Sequence, residues 1–158
     1  MSYGISIDEY RNRMMKLAEE TIPKESKKIL AAETRKLRRR FNSYSKQNVP
    51  VSCIDENDGS EGGNIHKMYH THFKVGKTYR YNEALSKRVF NNSGHGKYVE
   101  SGRKIAKGYK KKDGYKNAPE IGHTKAYNVY RNVKAEFDSV YKHDLEAWID
   151  KMVNEGKL

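Results

Sequence analysis

Cysteine, proline and long apolar runs are scarce in this sequence, and each shortage removes a class of protein. Cys53 is the single cysteine among 158 residues, so no internal disulfide can form and the fold does not depend on an oxidising compartment. Its neighbours Asp55 and Glu56 are acidic, the opposite of the electropositive setting that activates a thiol nucleophile. No run of about 18 apolar residues occurs, so nothing has the length to cross a membrane as a helix. The opening MSYGISIDEY lacks the charged-then-apolar order of a secretion signal, and a cytoplasmic origin is the expectation. Apolar residues supply only 35% of the chain, a thin stock for a core, and the length accommodates one domain.

Motifs of catalysis are missing as well. There is no Cys–Cys pair, no His-Glu-x-x-His, no nucleophilic serine motif and no phosphate-cradling glycine loop. Gly94-His95-Gly96 belongs to a turn and lacks the strand–helix context of a nucleotide site. His66, His70 and His72 share parity on a strand, but three convergent ligands and an open position are not implied by that alone. His70, Lys97 and Glu100 form a conceivable acid–base set, with no spacing that fixes their geometry. The acidic stretch Asp55 to Gly63 lacks the spacing of a calcium loop. The expectation is a non-enzymatic chain with no cofactor and no metal.

What the chain does have is positive charge and tyrosine. Thirty-two Lys and Arg stand against 20 Asp and Glu, a net charge of +12, which favours contact with nucleic acid, anionic lipid or an acidic protein surface. Twelve tyrosines, large and amphipathic, partly make up for the thin core and point to stabilisation by partner chains.

Periodicity divides the chain into five parts. Residues 6–47 read as helical. Ser6-Ile7-Asp8-Glu9 is a capping box, and Ile7, Tyr10, Met14, Leu17 and Ala18 recur at helical steps. Pro23 predicts a break or kink, after which Ile29, Leu30, Leu37, Phe41 and Tyr44 mark a second helix ending near Gln47. Residues 52–64 read as an acidic, glycine-rich loop. Residues 66–102 read as a sheet. Tyr69, Thr71, Phe73 and Val75, then Tyr79, Tyr81, Leu85 and Val89, alternate with polar residues. Gly76-Lys77 is the expected first turn, Asn91 to Gly96 the second, and Tyr98 to Gly102 a third strand. Residues 103–123 read as a basic loop, and 124–155 as one helix or two, with Thr124 or Asp138 as candidate caps. Its apolar stripe is Ala126, Tyr130, Val133, Phe137, Tyr141, Leu145, Trp148 and Met152. The sum is an α+β fold: a small antiparallel sheet of three to four strands packed against a long N-terminal helical segment and a C-terminal helix.

Charge is unevenly spread over these parts. The second helix carries Lys24, Lys27, Lys28, Arg35, Lys36, Arg38, Arg39, Arg40 and Lys46 against Glu25 and Glu33, while Asp144, Glu146, Asp150 and Glu155 make the last part of the closing helical segment acidic. The two regions should attract each other, within one chain or between chains. Arg38, Arg39 and Arg40, together with Lys110, Lys111 and Lys112 of the basic loop, are candidate anion- or subunit-contacting cations. Asp144 and Glu146 are candidate acidic contacts. Tyr79-Arg80-Tyr81 and Gly108 to Lys112 interleave aromatics with cations, a pattern that can also stack bases and touch phosphates.

The order of elements resembles the head–tail joining and tail-completion family of tailed phages and phage-tail-like particles. The likeness is carried by Val49-Pro50, by Gly62-Gly63-Asn64-Ile65-His66-Lys67 before the first strand, by Tyr98-Val99-Glu100-Ser101-Gly102, and by the closing helix Val133 to Val153. The family's Asp-Thr-Gly before the first strand is not intact here, and Cys53 to Glu61 looks like an insertion at that point. The resemblance implies assembly rather than catalysis: a ring, commonly hexameric, between connector and tail tube. Its location would be a virion or tail-like particle put together in the bacterial cytoplasm. Neighbouring connector and tail-tube proteins would be partners, with non-specific DNA contact possible in the lumen and no membrane. The rival reading is a small basic protein that binds nucleic acid without sequence preference.

Overall fold

In a computed structural model of the chain, residues 7–54, 56, 59, 61–65, 69–81, 84–106 and 120–157 are described. The first long element is a helical rod. Helix α1 (Ile7–Lys16), a π-turn (Leu17–Thr21) and helix α2 (Ile22–Asn48) follow without a break, since Lys16, Thr21 and Ile22 all keep right-handed helical dihedrals. The expected disturbance at Pro23 takes the form of the π-turn. A proline ring collides with the carbonyl four residues back. Here the preceding turn widens, and the Ile22 N–H bonds to the Leu17 carbonyl five residues back. Ser6, the expected cap, lies outside the described residues.

Helix α4 (Val129–Asn154) is a single helix and runs antiparallel to α2. The pairs Tyr44–Asn132, Arg40–Glu136 and Lys36–Asp144 ascend one helix as they descend the other. Lys157, just past α4, acts electrostatically on Glu25, so the two helices end level there. At about 1.5 Å per residue the rod is roughly 60 Å long and α4 roughly 39 Å. The α1 end of the rod therefore extends past the helix pair.

Against α2 packs a hairpin of β3 (Phe73–Tyr81) and β4 (Ala84–Asn91), preceded by a 3-10 turn (Tyr69–Thr71). The turn expected at Gly76-Lys77 is a β-bulge instead. Val75 pairs with Val89 and Thr78 with Lys87, so Gly76 and Lys77 together face Arg88. Gly76 sits close to its partner there: an added Cβ would come 3.1 Å from Arg88 Cγ, so the arginine side chain would have to shift. The extra residue reverses the side-chain parity of β3. Tyr79, expected on the buried face, pairs with Ser86 on the other side and is 50% exposed. The core face passes to Thr78 and Arg80, opposite Lys87 and Leu85.

Three further expectations are corrected. The acidic loop contains a ribbon, β1 (Ser52–Ile54) with β2 (Glu61–Asn64). The basic loop is bounded by another, β5 (Lys104–Ala106) with β6 (Glu120–His123). The strands thus form three two-stranded antiparallel sheets within the α+β plan. The segment expected as a third strand is a short helix, α3 (Gly96–Ser101). Asn91 Oδ1 accepts the Ser93 N–H and turns the chain, and the Gly102 N–H then closes α3 on the Tyr98 carbonyl. Gly102 has φ 66°, and a Cβ there would lie 2.2 Å from the Thr124 carbonyl oxygen, so the turn tolerates no side chain.

The core is an aromatic knot. Phe41 of α2 stacks on Phe73 of β3 at 5.0 Å between centroids, Tyr130 of α4 sits 4.9 Å from Phe41, and Tyr69 meets Phe73 edge-on at 5.6 Å. Ile65, Val89, Val99, Val129 and Val133 close around them. Neither Thr124 nor Asp138 caps α4. Its N-cap is Asn128, in the left-handed region at φ 47°, without a side-chain cap bond. The capping acceptor comes from α3: the Glu100 carboxylate accepts the backbone N–H of Tyr130 at 3.2 Å and is coupled to that of Val129. Burial pushes the Glu100 carboxyl above its ordinary value, and the backbone donors only partly oppose that.

Phe73→Ala should cost roughly 3–5 kcal/mol in urea unfolding, whereas Tyr79→Ala, on the outer face, should stay below about 1 kcal/mol. Glu100 resists ionisation in the folded chain more than in the unfolded one. Its contribution is therefore full below the ordinary value of 4.5 and is lost as pH rises through the higher folded value. Glu100→Gln should flatten that part of a stability–pH curve while keeping an acceptor. Glu100→Ala, which strips the helix start, should destabilise by roughly 1–2 kcal/mol.

Candidate interaction surfaces

The attraction between the basic and acidic helices is spent inside the chain. Arg40 donates through Nε and NH2 to Glu136 Oε2 at 3.0 and 2.6 Å. Lys36 Nζ lies 2.7 Å from Asp144 and 2.8 Å from Glu33, whose side chain is only 6% exposed. The hydrogen bonds to Asp144, then Glu33, raise the Lys36 ammonium above its ordinary value, and Lys36 in turn holds Asp144 below the usual carboxylate range. One ammonium thus spans two carboxylates. Glu33 Oε2 has no hydrogen-bond partner among the described residues, so its burial depends on this lysine.

Of the charged residues singled out from sequence, Arg40 and Asp144 are therefore internal ties. Arg38, Arg39 and Glu146 are exposed and have no ion pair among the described residues. Lys110, Lys111 and Lys112 lie outside the described residues. Arg38 and Arg39 belong to a longer stripe. With Lys24, Arg35 and Lys46 they recur on one exposed side of α2, opposite the side that carries Phe41 and Leu37. These five cations have no ion pair among the described residues and span about 33 Å at ~1.5 Å per residue.

A second surface was read from sequence as core and is open. The apolar stripe of α4 is buried at Val133 and Met152 but not between them. There α2, the hairpin tip and α4 splay apart around a groove of about 630 Å³. Ile22, Ile29 and Leu30 form one wall, Thr78, Tyr79, Arg80 and Leu85 the floor, and Tyr141, Leu145 and Trp148 the other wall. The bulge that turns Tyr79 outward is one reason the tip does not fill this space. The alternation of apolar residues could not disclose the groove, because helical spacing is the same for a covered and an uncovered stripe.

A third surface is α1. Every described side chain on it is exposed, Met14 at 45% and Met15 at 46% among them, and the π-turn buries none.

The chemical alternatives find little geometry. His66 lies outside the described residues, and no group of three metal-ligating side chains occurs among the described ones. Glu100 faces the start of α4 rather than a cleft, and Lys97 is exposed. A smaller cavity of about 220 Å³ lies beside Ser45, Val49, Tyr69 and His70. Ser45 Oγ and Tyr69 Oη are buried without a partner among the described residues. Burial, the Glu100 carboxylate and Tyr130 raise the Tyr69 phenol, which keeps it neutral. No helix among the described residues is long and apolar enough to cross a membrane.

Lys36→Met should destabilise the fold by roughly 1–3 kcal/mol, because Glu33 is left buried without its cation. Adding Glu33→Gln should recover most of that loss, as read by thermal or denaturant unfolding in a double-mutant cycle.

Comparison of the chain with protein-family models, with curated proteins and with solved structures finds no match in any of the three.

Proposed function

We propose that the chain is a structural, non-catalytic subunit of the neck or tail end of a tailed phage or phage-tail-like particle. Copies of it assemble into a ring that joins tail to connector. The observation that carries this reading is helix α4, which holds apolar side chains on more than one face while the monomer covers only parts of one. Val140, Ile149 and Val153 are exposed on it, in addition to the open stretch along the groove. Exposed apolar side chains in addition to a helix's buried stripe are surface that subunit contacts can cover. The family resemblance in element order supports the same reading. So does the small core, a cluster of eight buried residues among the described ones.

Mass photometry of the purified chain should show one discrete multimer, and images of the host particle should place the subunit as a ring at the tail terminus. A chain that stays monomeric alone and with its co-expressed neighbours would overturn the reading.

The outward stripe Lys24, Arg35, Arg38, Arg39 and Lys46 favours a second reading, contact with a nucleic-acid backbone. In that case binding to arbitrary duplex should weaken steeply with salt, and Arg38→Ala with Arg39→Ala should reduce the salt slope by about 2. Under the ring reading the same assay shows little affinity at moderate salt.

A further inference from the structure

Among the described residues, helix α1 and the α2–hairpin–α4 groove are two uncovered apolar surfaces, and the fold prevents one from covering the other within a single chain. The backbone is helical without interruption from Ile7 to Asn48. The groove begins at Ile22 and Pro23, where the arm leaves the body. A continuous rod cannot turn back on itself to fill a groove that starts at its own base. We infer that α1 of one copy docks into the groove of the next, so that subunits join arm to groove.

The chemistry of the two surfaces matches. In sequence, Ile7, Tyr10, Met14 and Leu17 fall at helical steps and form one apolar stripe on the arm, and the groove walls are Ile29, Leu30, Tyr141, Leu145 and Trp148. Asp8, Glu19 and Glu20 on the arm are exposed without ion pairs among the described residues, as are Lys27 and Arg80 at the groove. The arm from Ile7 to Thr21 carries Asp8, Glu9, Glu19 and Glu20 against Arg11, Arg13 and Lys16. It is thus net acidic in a chain of net charge +12. Donor and acceptor surfaces differ, so the contact is heterologous: every copy offers one arm and one groove, and the series closes into a ring when the rotation permits. The inference rests on the ring reading and names the surfaces that would build it.

The test uses full-length chains. An arm variant, Met14→Glu, places charge on a side chain of α1 that is already 45% exposed. A groove variant, Tyr141→Glu, changes a side chain that is already 38% exposed. Both should melt like the parent by circular dichroism. Each alone should lose assembly by roughly tenfold or more in mass photometry, since its charge would be buried against apolar walls. Mixed in equal amounts, the two should give a heterodimer and nothing larger, because only one intact arm and one intact groove can meet. Met14→Cys and Tyr141→Cys, placed on separate Cys53→Ser chains, should cross-link on oxidation even if a glutamate variant folds poorly. Assembly that survives the arm variant, or a mixture that yields neither heterodimer nor cross-link, overturns the arm-to-groove contact and leaves the ring reading standing. A parent chain that is monomeric at every concentration overturns both.

Discussion

Phe73 must meet Phe41, Tyr69 and Tyr130 at once, and the rest of the architecture follows from that requirement. The four rings come from three distant parts of the sequence: a helix, a 3-10 turn with the strand that follows it, and a second helix. Bringing them together sets the antiparallel course of α2 and α4 and lays the hairpin base against both. The polar groups at the edge of the knot keep its geometry. Tyr130 Oη accepts the Asn91 N–H at 2.7 Å, Asn91 Nδ2 donates to the Tyr69 carbonyl, and Asn91 Oδ1 turns the chain into α3. From α3, Glu100 reaches the bare N-terminus of α4. One asparagine and one glutamate therefore connect the packing of the rings to the placement of the last helix.

Away from the knot the chain relies on charge. Lys36 and Arg40 tie α2 to Asp144 and Glu136, and beyond these ties the helices separate into the groove. Exposed ion pairs stabilise little on their own. Their value here is directional, since they set the register of two long helices whose apolar contact is short. The cations left over, on the opposite side of α2, give the body one strongly positive face.

A compact knot fixes the body, while a helical arm, an open groove and the outer side of α4 present apolar surface that the other described residues leave uncovered. The supply of apolar residues sufficed for one small core and several contact surfaces, and the tyrosines serve both. Tyr69 and Tyr130 are packed among apolar rings, whereas Tyr141 lines the groove and Tyr79 is half exposed on the outer face of the hairpin.

The α+β class, the long helices and their ends near Asn48 and Asn154 and the turn at Asn91 were legible in the sequence, whereas the break or kink read at Pro23 is a π-turn within uninterrupted helical backbone. The legible features follow from local causes: hydrophobic period and side-chain bonds over two or three residues. The third strand was misread because Tyr98 to Gly102 is too short for its period to separate helix from strand, though Gly102 as a helix stop was a usable signal. The bulge at Gly76, the cap from Glu100, the pairing of Arg40 and Asp144 within the chain and the gap along α4 were decided by the tertiary structure alone. Each depends on which residue lies opposite which. An apolar stripe or a charged run states what a surface needs, and only the packed chain determines whether that need is met inside it or left for a neighbour.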